Sequence, residues 1–337
     1  MAGARTAWVA GAAACQHRGA MKRLVHRALL SSLLLALAAC STAPVAPPPD
    51  PLRTAPLHRL KPAQIDQLLG LLQAEQPQLR QRIATIARRF IDQPYELYLL
   101  GEFPYELYDP QPLFNIESSD CVVFVEHVYA MALSRNWAEF FWMLQRIRYR
   151  DGVIGVTTRN HYTEVDWLPA NRWLLTDLTE TLLPGAAVPY RMVVDRERFF
   201  RDRYKLQVPT PKQPHADSYL PKAQLIQSAE VLAQLQTGDL VNIVSGNGGG
   251  AWVSHMGLVV VGDDGERRLL HSAAPRVAEQ SFASYIEAAQ QRTDRARAAG
   301  KPATELLGFK FLRLADRPEP PPMAPPPRPQ PYPRLAG

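Results

Sequence analysis

Apolar positions recur at helical spacing through the first half of the chain and at strand spacing through the second. Ile65, Leu68, Leu69 and Leu72 predict an amphipathic helix that Pro77 ends, and Leu79, Ile83, Ile86, Ala87 and Phe90 predict another. Residues 93 to 119 lack such a period and read as a loop. It holds Pro94-Tyr95-Glu96-Leu97-Tyr98 and a near copy, Pro104-Tyr105-Glu106-Leu107-Tyr108, too short and isolated to signal a repeat architecture. Asp120 reads as an N-cap, because Phe124, Val125, Val128 and Ala132 follow it at helical spacing. The next helix, Trp137 to Arg148, carries Phe140, Phe141, Leu144 and Ile147 on one stripe. Residues 148 to 171 mix polar and aromatic side chains, a blend that suits a loop lining a substrate site, with a surface loop around packed tryptophans as the plainer reading.

Residues 172 to 236 read as mixed helix and loop, broken by Pro184, Pro189, Pro209, Pro211 and Pro214. Four strands are then predicted, at 239–245, 255–261, 267–272 and 307–314, with a helix around Phe282 to Ala298 before the last. Gly246 to Gly250 links the first two strands, and Asp263-Asp264-Gly265 turns a hairpin between the second and third. Helices first and antiparallel strands afterwards give an α+β fold. The folded part, 57–316, is long enough for one large core with insertions.

The ends differ from this body. Met21-Lys22-Arg23 and Arg27 form a basic region, and Ala28 to Ala39 is an apolar run too short to span a bilayer. That makes 1–39 a signal peptide, with 21–39 the natural leader if Met21 is the start. Leu37-Ala38-Ala39-Cys40 resembles the lipobox of bacterial lipoproteins, which implies cleavage before Cys40 and its acylation. Ser41 in the next position resembles lipoproteins sent to the outer membrane, and two or more acyl chains would anchor stably. Residues 40–56 read as a proline-rich tether and 317–337 as a disordered or polyproline II tail. The expected location is periplasmic, lipid-anchored at the outer membrane.

Processing changes the charge. The chain carries 38 Lys and Arg against 32 Asp and Glu, a net +6. Arg5, Arg18, Lys22, Arg23 and Arg27 precede Cys40 with no acid among them, so the remainder is close to neutral. The basic balance belongs to the leader, and nucleic-acid binding loses its support.

Removal of the leader also isolates a thiol. Cys15 precedes Met21 and Cys40 takes the lipid, which leaves Cys121 without a disulfide partner in an oxidising compartment. It falls on the first turn of its helix, where unpaired backbone N–H groups and the helix dipole are expected to favour a thiolate. The plainer reading is a small apolar core residue. His255 begins one strand of the hairpin and His271 ends the other, so the two imidazoles are expected side by side at its open end. A thiol with an imidazole to hold its proton, and a group to orient that imidazole, is the set that cysteine-dependent acyl transfer needs. Zinc on Cys121, His255 and His271 has no CxxC or HExxH spacing behind it, and no metal or other cofactor is expected.

Asp120-Cys121, Gly238-Asp239-Leu240-Val241, Ser254-His255-Met256-Gly257 and His271 together resemble the NlpC-type cell-wall cysteine hydrolases, which have a papain-like fold. Pro94-Tyr95, Asn115-Ile116, Phe124-Val125-Glu126, Ile147 to Gly152, His161-Tyr162, Asp166-Trp167 and Tyr219 to Lys222 narrow this to the N-acetylmuramoyl-L-alanine amidase-like family, formerly a domain of unknown function. The resemblance covers roughly residues 80 to 315. It implies N-terminal helices, the Cys121 helix among them, packed on the sheet. It also implies Cys121 as nucleophile, His255 as general base and His271 as the orienting residue, with the Tyr95 hydroxyl near the thiolate. Tyr105 in the duplicated segment competes for that last role. Asn115, His161 and Tyr162 are the implied substrate contacts. Val122 and Val123 stand where the family has small polar residues, and Ser272 and Ala273 are swapped.

The implied reaction is hydrolysis of the N-acetylmuramoyl–L-alanine amide of peptidoglycan or muropeptides, notably their 1,6-anhydro form, through a thioester. Two alternatives stay open: cleavage of the D-glutamyl–diamino-acid bond on the same fold, and a non-catalytic peptidoglycan-binding lipoprotein.

Overall fold

The computed structural model describes residues 50–323; the leader, Cys40, most of the tether and the tail beyond Met323 lie outside them. Among the described residues, four helices of ten or more residues come first: α1 Pro62–Glu75, α2 Leu79–Arg88, α3 Cys121–Ala132 and α4 Trp137–Arg148. Proline opens α1, and Gln64 Oε1 accepts from the Lys61 N–H at 2.9 Å. Asn136 caps α4, its Oδ1 accepting from the Glu139 N–H at 2.9 Å. Each helix buries the stripe its periodicity marks: Ile65, Leu68, Leu69 and Leu72 on α1, Phe140, Leu144 and Ile147 on α4. From Val123 onward α3 is buried on all sides, and it packs against the strands that carry the two histidines.

Eight strands follow among the described residues: β1 Leu175–Asp177, β2 Val188–Val194, β3 Gln213–Pro221, β4 Leu240–Gly246, β5 Ala251–Val261, β6 Arg267–Ala273, β7 Arg276–Ser281 and β8 Glu305–Leu314. They form one antiparallel sheet in the order β2-β3-β8-β4-β5-β6-β7, with β1 pairing β8. Helix α5, Arg196–Tyr204, lies between β2 and β3 in the chain, and α6, Phe282–Ala298, between β7 and β8.

Alternate residues of the central strands enter two cores. Leu240, Met256, Leu258, Val260, Leu270 and Leu312 join the core of α1–α4. Val241, Ile243, Val259, Leu269 and Phe311 join a second core with Phe282, Tyr285 and Ile286 of α6. The α+β expectation agrees with this antiparallel sheet and its helices.

The four predicted strands are present within a few residues, but β1, β2 and β3 lie where mixed helix and loop was expected, and β7 where no element was. Pro189 and Pro214 sit in the β2–β3 pair, and β2 is an outer strand whose free side needs no donors. β7 is also an edge, and its charged, half-exposed sequence hides the strand period. Residues 163–167 form a π-helical turn around the fully buried Trp167. At the start of the described residues, Pro51–Thr54 makes one helical turn. Pro320, Pro321 and Met323 lie over α4 beside Trp142. Among the described residues, no helix is long and apolar enough to cross a membrane.

Candidate active site

Asp120 caps α3 as expected, its Oδ1 accepting from the Val122 N–H at 2.9 Å and the Val123 N–H at 2.8 Å. Cys121 is therefore the first helical residue, and it is partly accessible. Ser119, two residues earlier, is tied to the histidine strand. Ser272 Oγ donates to the Ser119 carbonyl at 2.8 Å, and Ser119 Oγ donates to Gln93 Oε1 at 2.7 Å. These groups are buried, so the start of α3 is held against β6 by satisfied polar contacts.

Turn chemistry at Gly262 to Glu266 closes the β5–β6 hairpin, with the Gly262 N–H donating to the Glu266 carbonyl at 2.9 Å. At its other end His255 Nε2 lies 2.7 Å from His271 Nδ1. Gly257 makes room for this pair: a Cβ there would stand 2.9 Å from His271 Cβ and 2.8 Å from Leu269 Cδ1. Gly257→Ala is expected to cost about 1–3 kcal/mol by overpacking. It should also widen the His255–His271 contact. Equal thermal unfolding of variant and parent would refute this.

Cys121 meets the histidines through their neighbours. The backbone N–H of Met256, the residue after His255, donates to the Cys121 sulfur. Tyr285 of α6 stacks parallel to His255 at 6.5 Å, meets His271 edge-on at 5.5 Å, and is close enough to Cys121 for charge interaction. Tyr95 is held by its N–H donating to the Pro275 carbonyl at 3.0 Å, and it also lies within electrostatic reach of Cys121. Tyr105 is 55% exposed on the surface of the same loop. The structure thus brings together Cys121, His255, His271 and Tyr95, and leaves Tyr105 apart.

The electrostatics depart from the thiolate expectation. Burial, then the adjacent Asp120 carboxylate, pushes the Cys121 thiol up to about 12, outweighing the donated N–H groups. Burial, then His271 and Arg292, brings His255 down to about 3, and burial with Arg292 brings His271 to about 4. Thiol and imidazoles are all uncharged at neutral pH. Asp120 absorbs the amides of Val122 and Val123 and places a carboxylate beside the sulfur, which offsets what the helix terminus offers.

These buried imidazoles also predict acid sensitivity. Burial lowers His127 to about 4 and His161 well below 6.5 as well. Each is neutral when folded and free to protonate near its ordinary pKa when unfolded. The stability they confer is complete above about pH 6.5 and is lost as pH falls toward the folded values, by up to about 1.4 kcal/mol per pH unit for each group. Urea midpoints between pH 7 and 5 should therefore fall with pH; a level profile would sink the assignment.

The remaining candidates have other partners. Asn115 Oδ1 accepts from the Glu117 and Ser118 N–H groups at 2.9 and 3.0 Å, shaping the turn that leads into α3. His161 Nε2 lies 2.6 Å from the Val156 carbonyl, with its ring packed on Phe199 and Phe200. Tyr162 lies under the Arg196 guanidinium, which pairs with Asp166 at 2.5 Å. His161 and Tyr162 share a cavity of about 670 Å³ with Arg150, Asp166 and Arg196, and Cys121 is not among its lining residues. Glu164 connects that loop to β5, Oε1 accepting from the Val253 N–H at 2.6 Å. Asp239, from the Gly-Asp-Leu-Val segment, is fully buried between Arg80 and Arg313 at 3.1 and 2.9 Å, a structural position.

Sequence reasoning missed Tyr285 and Gln280, the latter 2.6 Å from His271. Reading them requires the β6–β7 turn, which places His271 opposite Ala278 and Leu269 opposite Gln280. Among the described residues no group of three or more His, Cys, Asp or Glu side chains is arranged to hold a metal ion.

Residues 85–292 match the model of the N-acetylmuramoyl-L-alanine amidase-like family. Among solved structures, the chain resembles a protein of Legionella pneumophila in fold, with a TM-score of 0.63 at 20% identity over 75% of this chain and 94% of that one. It is also similar to an N-acetylmuramoyl-L-alanine amidase from Bacteroides uniformis, with a TM-score of 0.54 at 25% identity over 70% of this chain and 99% of that one. No curated protein matches it.

Proposed function

Since the chain belongs to the N-acetylmuramoyl-L-alanine amidase-like family, we propose that it is a cysteine-dependent peptidoglycan amidase, with Cys121 as nucleophile, His255 as general base and His271 orienting that base. The observation that carries this is the 2.7 Å His255–His271 contact beside a helix-start cysteine. The papain-like arrangement of the NlpC-type hydrolases is the reading of the fold that fits this placement.

Because the thiol and His255 rest uncharged, the nucleophile forms as it attacks. His255 takes the S–H proton while sulfur bonds the carbonyl carbon, and the carbonyl electron pair moves onto oxygen. The Cys121 N–H and the Tyr95 hydroxyl are the donors assigned to that oxyanion, Tyr95 being within electrostatic reach of Cys121. On collapse the C–N bond breaks and His255 returns the proton to the leaving amine. Water then gives a proton to His255 and attacks the thioester, releasing the carboxylate and restoring the thiol.

The bond assigned is the lactyl–L-alanine amide of N-acetylmuramic acid or its 1,6-anhydro form. The test is mass spectrometry of purified reducing and anhydro muropeptides after incubation with the protein. Release of an intact stem peptide beginning with L-alanine supports the amidase. Release of L-Ala–D-Glu fragments would make it an endopeptidase, and no release while Cys121 stays alkylatable would favour a binding role.

Acylation of Cys40 and periplasmic anchoring at the outer membrane belong to the same reading, supported by the lipobox-like Leu37 to Cys40. Palmitate labelling that persists in Cys40→Ala would refute it.

A further inference from the structure

Gln280 extends the His255–His271 contact outward. On β7 it stands opposite Leu269, and Ala278 stands opposite His271. Side chains two apart on a strand share a face, so Gln280 and Ala278 lie on the face of His271. The short Ala278 leaves the space across which the Gln280 amide reaches diagonally, its Nε2 2.6 Å from His271 Nε2. The other ring nitrogen, Nδ1, is the one that meets His255 Nε2 at 2.7 Å.

Proton bookkeeping along this line leaves two states. The amide's two ends are alike in shape, and a half-turn of the group exchanges Nε2 and Oε1 beside the ring. With the NH₂ turned inward, it donates to His271 Nε2. His271 then carries its proton on Nδ1 and donates to His255 Nε2, so neutral His255 holds its own proton on Nδ1 and cannot accept another from the thiol. With Oε1 turned inward, His271 Nε2–H donates to the amide. His271 Nδ1 then accepts from His255 Nε2–H, and His255 Nδ1 is left as a free acceptor. The same arrangement remains when His255 becomes an imidazolium.

We propose that Gln280 is a positioning residue that selects the His271 tautomer on which proton acceptance by His255 depends. This rests on the assignment of Cys121 and His255 as nucleophile and base. The other groups facing the pair are Tyr285 and Arg292 of α6 and Cys121 of α3. Tyr285 and Cys121 are uncharged near pH 7 and Arg292 is a fixed cation, which leaves the amide as the group able to switch between donor and acceptor.

The test reads the tautomer and the thiol directly, without a substrate. Ring ¹⁵N shifts of His271 in the full chain should show the Nε2–H form. In Gln280→Leu that preference should be lost, and alkylation of Cys121 by iodoacetamide at pH 7 should slow roughly tenfold. Gln280→Glu keeps an acceptor and adds a negative charge. It should preserve Nε2–H, restore alkylation, and move its acid limb to higher pH, because the carboxylate favours the protonated histidine pair. A merely structural role would shift unfolding and leave the acid limb in place. An Nδ1–H His271 in the parent chain, or unchanged tautomer and alkylation profile in folded Gln280→Leu, would overturn the proposal. These shifts in a chain that cuts no muropeptide would uphold Gln280 and count against the amidase reading alone.

Discussion

Cys121→Ser is expected to lower muropeptide turnover by on the order of 10⁴-fold or more while changing stability by less than about 1 kcal/mol. The asymmetry follows from the site. Cys121 is partly accessible at a helix start, so exchanging sulfur for oxygen creates no cavity in the core. Chemically the exchange is severe. The thiol is already pushed up to about 12 by burial and Asp120, and a hydroxyl is a far weaker acid with no charged partner to help it. His255→Ala should approach the same loss because the proton then has no acceptor, whereas His271→Ala should retain residual activity because it acts through His255. Steady-state release of stem peptide, with thermal unfolding of each variant as control, checks all three. Undiminished hydrolysis by Cys121→Ser would remove the nucleophile assignment.

The uncharged resting pair has a second consequence. A preformed thiolate–imidazolium pair would be alkylated quickly at neutral pH whether or not substrate is present. Here the sulfur is expected to react slowly when the site is empty, because burial, and then the Asp120 carboxylate that accepts from the Val122 and Val123 amides, disfavours negative charge on it. Placing Cys121 on a helix start was possible from Asp120 and the apolar spacing that follows. The sign of the field there was not, because it depends on a buried carboxylate facing the sulfur, which spacing does not encode.

The same division runs through the fold. Helices α1 to α4 and strands β4, β5, β6 and β8 were legible because burial imposes a period on their apolar residues. The hairpin histidines were legible because Asp263 to Gly265 sets the turn, and the turn sets which residues meet. β2 and β7 were obscured because edge strands admit prolines and charges, and β3 because Pro214 falls in the stretch that pairs with the edge strand β2. With β7 hidden, Gln280 had no reason to be read against His271. Asn115 and His161 were chosen on resemblance, and their polar atoms are engaged by backbone groups, a use that residue type alone does not disclose.

Arg148→Met should destabilise the protein by about 3–5 kcal/mol, the cost of leaving a buried carboxylate without its cation. Glu126 lies within α3, fully buried, with Oε2 accepting from Arg148 Nη1 of α4 at 3.0 Å and Oε1 accepting from Trp167 Nε1 at 2.9 Å. One carboxylate therefore binds the Cys121 helix to its neighbour and to the loop that reaches β5 through Glu164. Burial holds the Glu126 carboxyl above its usual range even with Arg148 beside it, so removing the guanidinium drives it further toward the neutral acid. Stability of Arg148→Met should consequently recover in part as pH is lowered from 8 to 6, before acid protonation of the histidines opposes it. Adding Glu126→Gln should restore a large share of the loss, because the amide oxygen still accepts from Trp167 and carries no charge. A double-mutant cycle by urea unfolding reads this coupling. Losses that simply add would mean the pair contributes nothing beyond its separate packing, and the carboxylate would then not be what fixes α3 in place.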